Sequence, residues 1–244
     1  MVELRAVVFD WGGVLTQPIA DTVRNWIAAD LIDWDTYLAV VGPWLSDAYG
    51  AVASSPGDGS VGPAHAVGPA HAVNSVHAVN PVHAVNPVHA LERGECTVAE
   101  FERLLAARLV RTDGKPVPAD GLLTRMLSAS TPVPAMYRLI RDLRARGVCT
   151  ALLSNSWGTA GYPREDFPGL FDAVVISGEV GMRKPEPRIF LHSAELLGIS
   201  PRECVFVDDL EANVRAAIGC GMTGVHHTGP AQTEQCLTKL FADR

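Results

Sequence analysis

Asp10 is the residue of this chain best placed to do chemistry. It follows the apolar segment 6–9 directly and precedes the turn Trp11-Gly12-Gly13. A carboxylate at the C-terminal end of a buried parallel strand lies where open α/β sheets build their ligand crevice. The adjacent glycines would let backbone N–H groups approach a bound anion. These features suit nucleophilic attack on phosphorus, and the alternative is an aspartate that only caps the turn.

Two later segments carry groups that could bind an anion. Ser154-Asn155-Ser156 follows the apolar segment 150–153, and Ser154 could hold a phosphoryl oxygen. An ordinary strand-to-loop cap is the alternative there. Lys184 lies between a glycine and a proline in the segment 181–187 and is one of three lysines in the chain. Its ammonium group could neutralise both a nucleophilic carboxylate and an incoming phosphate, whereas a solvated loop lysine is the alternative.

Asp208 and Asp209 form an adjacent acidic pair after the apolar segment 204–207, without a basic neighbour in sequence. Such a pair indicates a bound cation, and hard oxygen ligands with positions left for water and phosphate suit Mg²⁺. Asp10 and Asp209 could supply the ligands. The alternative is that the pair begins the next helix as its N-cap and first-turn acid.

From Pro132 onward, predicted helices and strands alternate along the chain, and these elements must position the residues above. Their strands are apolar throughout, which is typical of a parallel sheet with helices on both faces. We therefore expect an α/β fold with a Rossmann-like, doubly wound parallel sheet. The predicted helices are 135–146, 188–197 and 211–220, and the predicted strands are 148–153, 173–176, 204–207 and 223–226.

The chain between the first strand and this alternating region has a different pattern. Helical segments at 22–31, 34–41 and 98–110 follow one another without clear strands between them. We predict an α-helical cap at 17–130, inserted into an α/β core made of 1–16 and 131–244.

Residues 61–90 form a low-complexity tract of five hexapeptides with one histidine each. The copies are VGPAHA twice, VNSVHA once and VNPVHA twice. A left-handed β-helix would need more copies to close a core, and a histidine array for metal would lack fixed geometry. We favour a surface loop lengthened by duplication, whose last copy, Asn86 to Ala90, provides the N-cap and first turn of a helix.

Composition narrows the classes of partner. The net charge of −7 and the spread of the arginines leave no basic stripe for nucleic acid. No apolar run is long enough to span a bilayer and no leader pattern is present, so we expect a cytoplasmic protein. Five scattered cysteines without a CxxC pair indicate reduced thiols. We therefore expect neither a nucleic-acid nor a membrane partner, and composition leaves a monomer and a homodimer both open.

The segments FDWGGVL, LLSNS, GMRKPEP and FVDDLEAN occur in this order, each after a predicted strand. Together they resemble the four motifs of the haloacid dehalogenase superfamily, across the whole predicted core. The helical insert is similar to the cap of the N-terminal phosphatase domain of soluble epoxide hydrolase. The resemblance implies a phosphatase for small phosphorylated metabolites.

By this resemblance, Asp10 is the nucleophile that forms an aspartyl-phosphate. Ser154 and Lys184 would act with it on the phosphoryl group, Asp10, Asp209 and the Gly12 carbonyl would hold Mg²⁺, and Asp208 would support the metal site. The residues expected at the phosphate are Trp11, Gly12, Ser154, Asn155 and Lys184.

Gly12 departs from the pattern of typical phosphatases of this superfamily, which have a second aspartate at this position for proton transfer. Its absence predicts slow turnover, since general acid–base help is worth roughly a hundred- to ten-thousandfold. A weak or inactive phosphate-binding protein therefore stays an alternative, as does a 2-haloacid dehalogenase, although the pair Asp208-Asp209 speaks against the latter. A phosphonoacetaldehyde hydrolase would need a cap lysine, and no lysine precedes Lys115.

Overall fold

Five parallel strands form the centre of the protein, in a computed structural model that describes residues 2–49, 86–158 and 161–242. The strands are β1 (Ala6–Phe9), β2 (Cys149–Ser154), β3 (Ala173–Ile176), β4 (Cys204–Asp208) and β5 (Thr223–His226). Their order in the sheet is β3-β2-β1-β4-β5. Because β2 and β4 both pair with β1, the residues that follow these three strands meet at one edge of the sheet.

Helices cover both faces of this sheet. Val7 and Phe9 of β1 belong to an apolar cluster with α6 (Pro134–Ala145) and α11 (Pro230–Leu240). Ala6 and Val8 belong to a second cluster with α9 (Pro187–Leu197) and α10 (Glu211–Gly219). This alternation buries the strands on both sides and confirms the predicted α/β fold. The helices of this region are α6 (Pro134–Ala145), α7 (Phe167–Leu170), α8 (Ser177–Val180), α9 (Pro187–Leu197), α10 (Glu211–Gly219) and α11 (Pro230–Leu240), with 3-10 helices at Arg164–Asp166 and Pro201–Glu203.

A separate apolar cluster lies among the helices that stand between β1 and α6 in the chain. Trp26, Phe101 and Leu122 are almost completely buried in it. The two connections to the sheet region run side by side, since Thr16 and Pro132 form an antiparallel bridge. The helices are α1 (Ile19–Ala29), α2 (Trp34–Tyr49), α3 (Pro87–Glu92), α4 (Val98–Ala106) and α5 (Leu122–Leu127).

Some helix boundaries differ from the sequence prediction. The prediction for α2 stopped at Val41, but the helix continues through Pro43 to Tyr49. The side chains after Pro43, including Trp44 and Tyr49, pack against the apolar cluster of this region, and this packing outweighs the cost of the proline. Helix α1 ends before Leu31, which has a φ of 55°. Helices α5 and α11 were not predicted.

The last hexapeptide begins α3, as predicted. The Asn86 side chain accepts a hydrogen bond of 2.9 Å from the backbone N–H of Val88, and Pro87 occupies the first helical turn. Asn86 Nδ2 also donates to the Trp44 carbonyl at 2.7 Å and to Asp47 at 2.9 Å, which joins α3 to α2. The rest of the tract, 61–85, lies outside the described residues.

All five cysteines are free thiols. Over the described ranges, none of the helices combines the length and the apolar composition that crossing a membrane requires.

Candidate active site

Asp10 lies directly after the central strand β1. Its N–H donates to the Val207 carbonyl at 2.9 Å, which extends the pairing with β4 by one residue. The next N–H, that of Trp11, donates to Asp10 Oδ1 at 2.7 Å and helps to fix the carboxylate. Gly13 has a φ of 79°, and a Cβ at this position would lie 2.2 Å from Asp209 Oδ2. The turn therefore requires a glycine at position 13 to admit the Asp209 carboxylate.

Lys184 joins two of the carboxylates at this edge. Its Nζ lies 2.6 Å from Asp10 Oδ1 and 2.7 Å from Asp208 Oδ2, and the side chain is 1% exposed. Burial alone would lower the pKa of Lys184, but the two ion pairs outweigh it and raise the pKa above its ordinary value. The lysine is thus held as a cation between two acids.

The backbone of Lys184 is fixed by the segment after β2. Asn155 Oδ1 accepts from the Lys184 N–H at 2.8 Å, and Asn155 Nδ2 donates to the Lys184 carbonyl at 3.0 Å. The following Lys184–Pro185 peptide bond is cis. Asn155 was predicted as a phosphate-binding residue, and in the structure its amide is bonded to the lysine loop.

Asp10, Asp208 and Asp209 converge so that one carboxylate oxygen from each lies within 4.8 Å of the others. Burial, reinforced by the charge of Asp208, raises the pKa of Asp10 well above its ordinary value and that of Asp209 to about 6. Three carboxylates face one ammonium group, so the site carries excess negative charge. A divalent cation with oxygen ligands fits this donor set.

The two neighbouring aspartates differ in how their oxygens are used. Asp208 is fully buried, and its carboxylate accepts from Lys184, from the Leu210 N–H at 2.8 Å and from Asn213 Nδ2 at 3.0 and 3.1 Å. Asp209 is less buried and stands beside the glycine turn. The Asp208 oxygens already accept hydrogen bonds from Lys184, Leu210 and Asn213, so the Asp209 carboxylate is the more available of the two to bind a cation.

Ser154 ends β2 and is 2% exposed. Its Oγ lies 2.8 Å from the hydroxyl of Tyr162, whose ring packs against Trp11 at a centroid distance of 5.4 Å. Burial raises the pKa of Tyr162 to about 12. Sequence analysis missed Tyr162, because a loop tyrosine eight residues after Ser154 gives no pattern that marks it as a partner.

Trp11 and Gly12 occupy the turn after Asp10 in different ways. The indole ring of Trp11 packs among Tyr137, Tyr162 and Phe167, whereas the backbone N–H of Trp11 donates to Asp10 Oδ1. A Cβ built on Gly12 would have its nearest neighbour, Ile19 Cδ1, at 3.7 Å. Position 12 therefore has room for a Cβ.

A buried ion pair connects the lysine loop to α3. Arg183 Nε donates to Glu92 Oε2 at 2.6 Å, and these side chains are 4% and 0% exposed. Tyr49 and Trp157 also donate to Glu92, and Arg183 donates to the Ala48 carbonyl at 3.0 Å. The pair joins residues 91 positions apart, so no local sequence signal could have revealed it.

A second ion pair joins the same two elements. Arg93, directly after α3, donates to Glu186 Oε1 through Nε at 2.8 Å and through a terminal guanidinium nitrogen at 2.6 Å. Residues on both sides of Lys184 are therefore held by α3 and the residue that follows it.

Comparison with known proteins points to one enzyme family. Residues 4–221 match the family model of haloacid dehalogenase-like hydrolases. A sesquiterpene phosphatase from Aspergillus oryzae is 33% identical over 118 residues, which cover 45% of this chain and 57% of that protein. A glyceraldehyde 3-phosphate phosphatase from Methanopyrus kandleri is 46% identical over 100 residues, 38% of this chain and 42% of that protein. The chain spans about half the length of these curated relatives.

A solved structure supports the fold. A HAD family enzyme from Bacteroides thetaiotaomicron, in complex with magnesium and inorganic phosphate, superimposes with a TM-score of 0.58 at 21% identity. The match covers 92% of this chain and 94% of that one. With the motifs at the ends of β1, β2 and β4 and the family match over most of the chain, the protein belongs to the haloacid dehalogenase-like hydrolases.

Proposed function

We propose that the protein is a Mg²⁺-dependent phosphohydrolase that acts on a small phosphorylated metabolite through an aspartyl-phosphate on Asp10. The observation that carries this proposal is the position of Lys184 Nζ, within 2.7 Å of both Asp10 and Asp208 in a buried cluster of three carboxylates. Such a cluster is suited to bringing an anionic phosphate next to an anionic nucleophile only if cations offset the repulsion. The relatives named as phosphatases support the same reaction class.

The side chains divide the work of phosphoryl transfer between them. Asp10 attacks phosphorus while the bond to the ester oxygen breaks, and the alcohol leaves with a proton from solvent. Water then cleaves the aspartyl-phosphate, which releases phosphate and restores Asp10. Lys184 and the Trp11 backbone N–H fix the orientation of the Asp10 carboxylate. Ser154 and Lys184 hold the oxygens of the transferring group, and Asn155 acts through the backbone of Lys184. Most of the rate enhancement in such a reaction comes from positioning and charge neutralisation.

Asp10, Asp209 and the Gly12 carbonyl would hold the metal ion, and Asp208 would support the site by orienting Lys184. The ion would supply charge neutralisation for the nucleophile and the phosphoryl oxygens. Burial is the main cause of the raised pKa of Asp10 and of Asp209, and the charge of Asp208 raises both pKa values further. A cation held there would offset this negative charge, which supports the assignment.

Helices α1 to α5 would serve as a cap over this edge of the sheet, with the cap spanning 17–130 and the core 1–16 and 131–244. Their separate apolar cluster and the paired connections at Thr16 and Pro132 support this division. A cap restricts access to small substrates, in keeping with the small phosphorylated compound in the name of the Methanopyrus relative.

Hydrolysis of an aryl phosphate by the full chain tests the proposal. Activity should require added Mg²⁺, should be lost on chelation and recovered on adding Mg²⁺ back, and should fall below detection in Asp10→Asn. Asp142→Asn, on the exposed surface of α6, is the matched control and should leave the rate unchanged. Hydrolysis that survives in Asp10→Asn, or that ignores metal, would refute the mechanism.

The same assay separates the alternatives. A protein that binds inorganic phosphate but does not hydrolyse the ester would favour the phosphate-binding interpretation, which Gly12 keeps open. Metal-independent release of halide from a 2-haloacid would favour a dehalogenase.

A further inference from the structure

Tyr162 makes a contact with the phosphate site that its packing does not require. Its hydroxyl lies 2.8 Å from Ser154 Oγ, and its ring contacts Trp11 and Phe167 at centroid distances of 5.4 and 6.3 Å. A phenylalanine would satisfy the ring contacts equally well. The hydroxyl is therefore the part of this residue that calls for an explanation.

The hydrogen-bonding capacity of Ser154 provides an explanation for the Tyr162 hydroxyl. A serine hydroxyl has one proton to donate and can accept from others. In the structure, Ser154 Oγ also lies 3.4 Å from the Asn155 carbonyl, a long contact that holds the proton only weakly. If Tyr162 is the donor in the shorter contact, the Ser154 proton is left for an oxygen of a bound phosphoryl group.

The surroundings of Tyr162 favour this direction of donation. Burial, reinforced by the charge of Asp10, raises the pKa of Tyr162 to about 12, so the phenol stays protonated at neutral pH. A phenol is a stronger donor than an aliphatic alcohol, and an oxygen that accepts a hydrogen bond becomes a better donor itself. Both effects direct the Ser154 proton away from Tyr162.

We propose that Tyr162 is a positioning residue for phosphate binding: its hydroxyl donates to Ser154 Oγ and thereby commits the Ser154 proton to the phosphoryl group. This inference rests on the proposed phosphohydrolase function. It adds a residue of the loop after β2 to the machinery and assigns it a role through Ser154, with no direct contact to the reacting atoms.

Tyr137 offers a matched control. Its ring packs edge-on against the same Trp11 at 6.4 Å, and its buried hydroxyl has no hydrogen-bond partner within the described part of the chain. Tyr137→Phe therefore removes the same atom from the same aromatic cluster without touching Ser154.

The experiment measures KM and kcat for an aryl phosphate, and the inhibition constant of inorganic phosphate, in the full chain with Mg²⁺. Tyr162→Phe should raise KM and the phosphate inhibition constant together by about 3- to 10-fold, as expected for one neutral hydrogen bond. Tyr137→Phe should leave both constants within about twofold. In the Ser154→Ala background, Tyr162→Phe should have no further effect, because the group through which it acts is gone.

Two results with an active wild type would overturn the inference alone. The first is an unchanged phosphate inhibition constant in Tyr162→Phe, and the second is an equal effect of this substitution with and without Ser154. The melting temperature of each variant shows whether its substitution has destabilised the fold. A wild-type chain that neither hydrolyses the ester nor binds phosphate would refute the proposed function and the inference with it, whereas an active wild type with an unaffected Tyr162→Phe refutes the inference alone.

Discussion

Under the proposed function, replacing Gly12 with aspartate should raise the rate at which the protein hydrolyses a phosphate ester. A Cβ at this position meets only Ile19 Cδ1, at the ordinary contact distance of 3.7 Å, and the backbone there is not left-handed. Position 13 is the opposite case, with a φ of 79° and a clash at 2.2 Å. A Cβ can therefore be added at Gly12 without a clash with the described residues.

The expected gain follows from what a carboxylate adds. A positioned general acid–base contributes roughly a hundred- to ten-thousandfold to a proton-transfer step, so kcat of Gly12→Asp should rise by at least about a hundredfold. Discharge of the phospho-enzyme needs an activated water, whereas its formation depends mainly on charge and geometry. With an aryl phosphate, the wild type should release a burst of aryl alcohol followed by a slow phase, and Gly12→Asp should lose the burst.

The added charge also has a cost in the absence of metal. The repulsion between a fourth carboxylate and another about 5 Å away amounts to roughly 3 kcal/mol at an effective dielectric constant of about 20. Without Mg²⁺, Gly12→Asp should therefore have a lower melting temperature than the wild type, and added Mg²⁺ should restore it. Gly12→Ala controls for the filled space and should change kcat by less than about threefold. Equal rates for Gly12→Asp and Gly12→Ala, with the burst retained in both, would refute the argument that a proton-transfer group is missing.

Two further predictions concern stability. Glu92→Gln leaves the Arg183 charge buried and unpaired, which should lower the free energy of unfolding by about 3 to 5 kcal/mol and the melting temperature by roughly 10 °C. The control, Asp21→Asn, breaks an exposed ion pair and should lower the melting temperature by less than about 2 °C. Similar shifts in both variants would contradict the importance of the buried pair. Deleting residues 61–85 should leave kcat within about twofold of the wild-type value and the melting temperature within about 2 °C of it. Extending the deletion through Asn86 should lower the free energy of unfolding by about 1 kcal/mol more, because the N-cap of α3 is lost. Loss of cooperative thermal unfolding in the shorter deletion would show that the tract contributes to the fold.

The parts of the site that sequence analysis could predict share one property. Asp10, Ser154 and the pair Asp208-Asp209 each stand at or directly after the end of an apolar strand, and parallel strands bring such ends to one edge of the sheet. Lys184 lacked a strand immediately before it, and its assignment depended on the motif around it. The structure places its Nζ between two of these acids.

What sequence analysis missed depends on contacts between distant segments. The partner of Ser154, Tyr162, lies in an irregular loop, and the partner of Arg183, Glu92, lies on a helix far earlier in the chain. Neither hydrophobic period nor turn chemistry reports such contacts. The continuation of α2 through Pro43 was missed for a related reason, since local propensity favours a stop there and tertiary packing overrides it.

The hydrogen bonds from Asn86 to the Trp44 carbonyl and to Asp47 have a consequence for how this gene can vary. They hold the start of α3 against α2, so the two ends of the chain between Tyr49 and Asn86 are anchored independently of its length. For the surface loop that the sequence predicts there, the entropic cost of joining two anchored ends grows with the logarithm of the number of residues between them, so gaining or losing one hexapeptide changes this cost by only about 0.1 kcal/mol. We therefore expect the number of repeat copies to drift among natural variants with little selection through folding, while Asn86, which closes the tract, is retained.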